Sequence, residues 1–145
     1  MAGQRVDAPT AAELEWVQAG VAAVRALADG HGSADAPLDP PLLDEVYAAW
    51  RTGWDQAPSA ERDDPNPYVN AFGVAFGQTL ADGLGFEWAV VTDDYGTEIA
   101  VQRQPGDVLV FPPNLVGKRF ETGETGFFVP VYAEIEELVG TLPET

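Results

Sequence analysis

Residues 92–98, Thr-Asp-Asp-Tyr-Gly-Thr-Glu, place two adjacent carboxylates, a phenol and a third carboxylate within seven positions. Asp93, Asp94 and Glu98 are oxygen donors of the kind that hold calcium or magnesium. Their spacing departs from the EF-hand loop, which needs acids at alternate positions, a glycine and a distant glutamate. The turn reading takes precedence: an aspartate bonds the backbone of its own turn, Gly96 adopts a positive φ, and Tyr95 packs across the sheet. Lys118 and Arg119 form the chain's one adjacent basic pair. With Asn114 at a helix N-terminus they could hold a phosphate or carboxylate. The structural alternative, which ranks first, is an ion pair with Asp93 or Glu121 that ties hairpin to helix.

His31, the only histidine, lies near Ser33 and Asp35. A nucleophilic triad is defined by geometry on a rigid scaffold, and these three share one loop of small residues. Paired-carboxylate hydrolysis needs an acid raised in pKa by burial. Glu87 is the nearest candidate, but it alternates with Phe86 and Trp88 and should point away from them. The chain has no cysteine, which removes disulfides, thiolate nucleophiles and sulfur-ligated metals together. It has no P-loop, dinucleotide fingerprint or nucleophile elbow. No cofactor is expected, and the balance leans against an enzyme. The four tryptophans fit a core at least as well as a pocket. Trp54, which ends its helix, is the one expected to be partly exposed at an interface.

Twenty-four acidic against seven basic residues give a net charge of −17. Residues 1–65 carry −8 and residues 66–145 carry −9, so the acidity is general. Such a field repels phosphate backbones and anionic lipid and speeds encounter with basic proteins. Nucleic acid and membrane are not expected partners. Solubility is the first reading of the charge and a basic protein partner the second. The N-terminus has no apolar run fit for a signal, and nothing approaches a membrane span, so a cytoplasmic protein is expected.

The elements that must position these residues follow from spacing. At 145 residues, 46% of them hydrophobic, one domain over residues 1–145 is expected, with residues 1–9 frayed. Thr10 and Glu13 stand at capping-box spacing before a helix whose stripe is Leu14, Val17, Val21, Val24 and Ala28, with Gly30 as its stop. Asp39 and Pro40 open a second helix with Leu43, Val46, Tyr47, Trp50 and Trp54 on one face. Asn66 and Pro67 open a third, apolar around most of its circumference and therefore central, in which Gly73 and Gly77 allow another backbone to approach.

From Phe86 the period becomes two, which predicts an antiparallel meander of three strands, with Pro105 and Gly106 in a type II turn. Asn114 caps a short helical turn. Residues 127–139 have a helical face, although Phe127–Val131 could instead form a fourth strand, and Pro130 leaves the choice open. The fold class is α+β: N-terminal helices on a small antiparallel meander of three to four strands, with a C-terminal helix.

Residues 72–121 resemble a small bacterial family common in actinobacteria, the domain of unknown function 3806. A glycine-containing helix leads to Trp88, Val90, Asp93, Tyr95 and Gly96, and then to Phe111, Pro112, Asn114, Val116, Lys118 and Arg119. The resemblance implies a fold and a bacterial setting, and no activity. A non-enzymatic interaction protein of accessory or immunity type is the leading expectation. The alternative is a small-ligand binder or enzyme with a cleft near Asp93, Lys118 and Arg119.

Overall fold

The computed structural model describes residues 4–33, 35–104 and 108–142. Helix α1 (Ala11–Gly30) starts with the expected capping box. The Thr10 hydroxyl accepts from the Glu13 N–H at 3.2 Å and the Glu13 carboxylate accepts from the Thr10 N–H at 2.7 Å. Gly30 is the last helical residue rather than the stop. The left-handed turn falls two residues later, at Gly32, whose φ is 93°. The buried stripe is Val17, Val24 and Ala28, and Leu14 stands 40% exposed. Periodicity marks a face, but it does not say how much of the helix a neighbour covers.

Helix α2 (Pro40–Gln56) opens on Asp39, whose carboxylate accepts from the Leu42 N–H at 3.0 Å, with Pro40 preset for the first turn. Helix α3 (Asn66–Leu84) is the centre, with nine buried residues from Val69 to Leu80. Its cap differs from expectation. Asn66 is already helical, and the Asp64 carboxylate takes the Asn66 N–H at 3.0 Å. Gly85, with a φ of 74°, ends α3.

The sheet is antiparallel in the order β1–β2–β3–β4: Arg5–Asp7, Glu87–Asp93, Gly96–Arg103 and Val108–Val110. The meander is as expected. Strand β1 corrects the fraying expected over residues 1–9 at residues 5–7, because Val6 pairs opposite Val91 and supplies the edge of the sheet, while residues 1–3 lie outside the described residues. Three residues carry too little alternation to be recognised before their distant partner is known. Pro105 and Gly106 lie outside the described residues.

Helix α4 (Pro112–Thr122) is longer than the single turn expected, and Asn114 is its third residue, not its cap. The chain enters the helix earlier because Pro112 and Pro113 bring a fixed φ and lack the N–H groups that a first turn leaves unpaired. The same reasoning settles α5 (Phe128–Gly140) as helix rather than strand. Pro130 falls within its first turn. The free N–H groups of Phe128 and Val129 donate to the two oxygens of Asp44 on α2, at 2.8 and 3.0 Å.

Tyr47 is the hub of the core, with its ring edge-on to Phe72, Phe127 and Phe128 at 5.1–5.8 Å between centroids. Gly73 does what its position in an apolar helix suggests. A Cβ there would lie 2.5 Å from Pro113 Cα and 2.7 Å from its nitrogen, so the backbone of α4 rests directly on α3. At Gly77 the space is taken by the Trp88 ring and Pro112. These contacts bring the start of α4 beside α3 and the sheet.

Candidate binding groove at Trp16

Helix α1 carries small residues at Ala19, Gly20 and Ala23, spaced so that they share a face with Trp16. This face meets the N-terminal half of α3. Gly20 lies against Val74, and the pair leaves a hollow of about 400 Å³ bounded by Trp16, Asn66, Pro67 and Asn70. A second hollow of about 210 Å³ adjoins it between β3 and the start of α4, lined by Trp16, Asn70, Glu98, Ile99, Phe111 and Asn114. Trp16 and Asn70 belong to both, so the two form one groove with the tryptophan at their junction.

Trp16 is 45% exposed, more than is usual for a side chain with so much apolar surface. The amides of Asn70 and Asn114 offer donors and acceptors, and the carboxylates of Asp64 and Glu98 give the rim a negative sign. Among the described residues the lining holds no histidine, lysine, arginine or hydroxyl side chain. The groove can therefore stack on an apolar or aromatic group, exchange hydrogen bonds and attract a cation. It has no nucleophile with an adjacent base.

The residues singled out in the sequence are dispersed. Asp93 accepts the Tyr95 N–H at 2.8 Å and Gly96 has a φ of 133°, so the hairpin tip is the side-chain-supported turn expected. Tyr95 does not pack across the sheet. It is 98% exposed, because the two-residue loop between Asp93 and Gly96 projects it off the tip.

Lys118 is exposed, and Arg119 donates to the Leu115 carbonyl at 3.2 Å with its guanidinium 5.6 Å from the Phe127 ring. Among the described residues the ion pairs are Arg5–Asp7, Arg25–Asp29 and Arg51–Asp55. The expected pairing of Lys118 or Arg119 with Asp93 or Glu121 is not among them, because Arg119 is drawn to the start of α5 instead. Of the residues proposed around that cleft, Asn114 alone lines the groove.

Trp54 is partly exposed, as expected, but Trp16 is the more exposed tryptophan. The Trp54 indole N–H donates to the Asp63 carbonyl at 2.9 Å, and the ring lies near the Arg62 guanidinium at 4.9 Å and Phe120 at 5.2 Å. Arg62 also donates to the Trp54, Asp55 and Ala57 carbonyls at the end of α2, which folds the following segment back over the tryptophan. His31 is exposed at the end of α1. Among the described residues no hydrogen bond joins it to Ser33 or Asp35, and Arg25 instead grips the carbonyls of Ser33 and Ala36. Asn70 was not anticipated as a site residue, Glu98 was weighed only as a cation ligand at the hairpin tip, and Trp16 was weighed only with the other tryptophans as core or pocket. The available signal was that Trp16 lies off the Val17–Val24–Ala28 stripe, where a large aromatic has no core to enter.

Two phenols depart from ordinary acidity. Burial pushes Tyr47 up, with Arg51 acting in the opposite direction. Among the described residues the enclosed Tyr47 hydroxyl has no hydrogen-bond partner. Tyr132 is raised by burial and then by Glu136.

Fold and groove together define an α+β protein with two adjoining hollows that meet at Trp16. The chain belongs to the family described as a domain of unknown function, DUF3806, whose profile matches residues 51–132. The match runs from late α2 into early α5 and leaves α1, with Trp16, outside it. No curated protein and no solved structure matches the chain. Among the described residues no helix is long and apolar enough to cross a membrane.

Proposed function

We propose that this chain is a non-enzymatic, cytoplasmic protein-binding domain that uses the Trp16 groove to hold a basic segment of its partner, as an accessory or immunity-type protein would. The observation that carries the reading is the half-exposed Trp16 ring at the junction of two adjoining hollows. Tryptophans in such positions are enriched among the few side chains that dominate binding energy. The acidic rim and the net charge of −17 favour a cationic partner and fast encounter. Acidic residues occur on all five helices and on β1, β2 and β3, so the charge acts as a general field, and the groove supplies the specificity.

The test is capture from a cell lysate at low and high salt with three forms of the chain: native, Trp16→Ala and Tyr95→Ala. One protein retained by the native and Tyr95→Ala forms, released by salt and lost from Trp16→Ala supports the reading. Removal of a central tryptophan anchor costs about 2 kcal/mol or more, roughly thirtyfold in affinity. Equal retention by Trp16→Ala refutes the groove as the contact face. No retention by the native chain refutes protein binding.

A further inference from the structure

On the opposite flank of α1 from Trp16, a hollow of about 410 Å³ lies between α1, the segment leading into α2, the C-terminal half of α3 and α5. Its two ends differ in chemistry. Val21, Leu38 and the rings of Pro37 and Pro40 form an apolar end, and Gln78, Thr79, Asp82 and Tyr132 form a polar one. The polar end is organised in advance. The Trp88 indole N–H donates to Gln78 Oε1 at 3.1 Å, and Gln78 Nε2 donates to Asp82 Oδ1 at 2.9 Å, so both side chains are held in one orientation. Gly83 lets the Tyr132 hydroxyl come close, because a Cβ at that position would occupy the place of the phenol oxygen.

Among the described residues the lining contains two carboxylates, Asp39 and Asp82, and no cation. Each has one oxygen engaged, Asp39 by the Leu42 N–H at 3.0 Å and Asp82 by Gln78 Nε2 at 2.9 Å, and Asp82 is the one that stands at the polar end with Gln78, Thr79 and Tyr132. The geometry points to a small-molecule site in this hollow that takes an amphiphilic primary amine, its apolar body against Val21 and the prolines and its ammonium on Asp82 and the Tyr132 hydroxyl. A cationic head pairs with the carboxylate, a neutral hydroxyl makes hydrogen bonds alone, and an anionic head is repelled. An apolar enclosure with a few convergent polar groups is the usual form of a small-ligand site. Burial and Glu136 keep the Tyr132 phenol protonated, so it meets the ammonium as a neutral hydroxyl whose oxygen accepts. This site is separate from the Trp16 groove and stands or falls independently of it.

Three isosteric probes test it on the full chain: 2-phenylethylammonium, 2-phenylethanol and phenylacetate, titrated while amide and indole N–H resonances are followed by NMR. The Trp88 indole resonance reports on Gln78, and the Thr79 amide reports on the hollow itself. The expected result is saturable shifts of both with the ammonium, weaker binding of the alcohol and none of the carboxylate. Asp82→Asn should lower ammonium affinity about tenfold, to that of the alcohol. Gly83→Ala, on the exposed last turn of α3, displaces the Tyr132 hydroxyl and should weaken both the ammonium and the alcohol. Absence of saturable shifts with every probe, phenylacetate binding as well as the ammonium, or ammonium affinity unchanged in Asp82→Asn would each overturn the assignment. The last would mean general attraction to an acidic surface.

Discussion

Gly73→Ala and Gly53→Ala are the same substitution in two helices, and the packing around them gives opposite signs. Gly53, exposed in the last turns of α2, has nothing within 4 Å of where a Cβ would stand. Alanine there gains helix propensity and reduces the freedom of the unfolded chain, which stabilises by about 0.5–1 kcal/mol. Gly73 receives the same gain, but its new methyl would stand 2.5 Å from Pro113 Cα, 2.7 Å from Pro113 N and 3.0 Å from the Pro112 carbonyl carbon. All three are backbone atoms of two consecutive prolines, which cannot rotate aside as a side-chain tip can, so α4 must shift bodily away from α3.

Overpacking of this kind costs about 1–3 kcal/mol and sometimes more. Set against the propensity gain, the net expectation is a loss of about 1–2 kcal/mol for Gly73→Ala. Urea unfolding followed by tryptophan fluorescence should show the two midpoints moving in opposite directions at constant m. In a chain of this size each kcal/mol corresponds to about 2–4 °C in Tm. A Gly73→Ala protein as stable as Gly53→Ala would refute the close approach of α4 to α3, and with it the placement of Asn114 in the groove.

Asp44→Ala should destabilise by about 1–2 kcal/mol, because it strips two N–H groups at the start of α5 of their acceptors while gaining only slightly in α2 propensity; Asp44→Asn, which keeps one acceptor oxygen, should fall between. Tyr47→Phe removes an enclosed hydroxyl that has no partner among the described residues and should leave stability unchanged or raise it by up to about 1 kcal/mol in the same urea experiment. The pH dependence has a definite sign: below about pH 10 the Tyr47 proton is held in both states, and above it the unfolded chain loses the proton first. Stability should therefore decline as pH rises past 10, less steeply in Tyr47→Phe; equal slopes in the two proteins would contradict the burial of this phenol.

Helices α1, α2 and α3 were legible because each combines a spacing of three and four with a local start signal, and the sheet because alternation from Phe86 is regular. The misplaced boundaries, at Gly30, Asn66 and Asn114, share one cause. In each, a glycine, an asparagine or a proline pair fits two adjacent positions of a helix end, and the choice depends on the neighbouring segment. The groove was not legible. Trp16, Asn70, Glu98 and Asn114 sit on four separate elements, and only the closure of α4 onto Gly73 and of α1 onto Val74 brings them together. The partial exposure of Trp54 was legible from its place at a helix end, but that place gives no hint that Arg62 will fold the next segment over it.

Strand β1 is the first element of the sheet in the chain and pairs with β2 only after α1, α2 and α3 have intervened. During synthesis, then, residues 5–7 leave the ribosome long before their partner exists. The hairpin of β2 and β3 can close as soon as it emerges, but its outer edge at Val90 and Val91 stays open until the N-terminal segment returns to it. For that interval the nascent chain presents a β-branched edge that another copy on a neighbouring ribosome could pair with instead. Three residues and their ladder cover that edge in the finished fold, and a fusion tag that delays their return should show its effect in the yield of soluble protein before it shows any in the stability of what has folded.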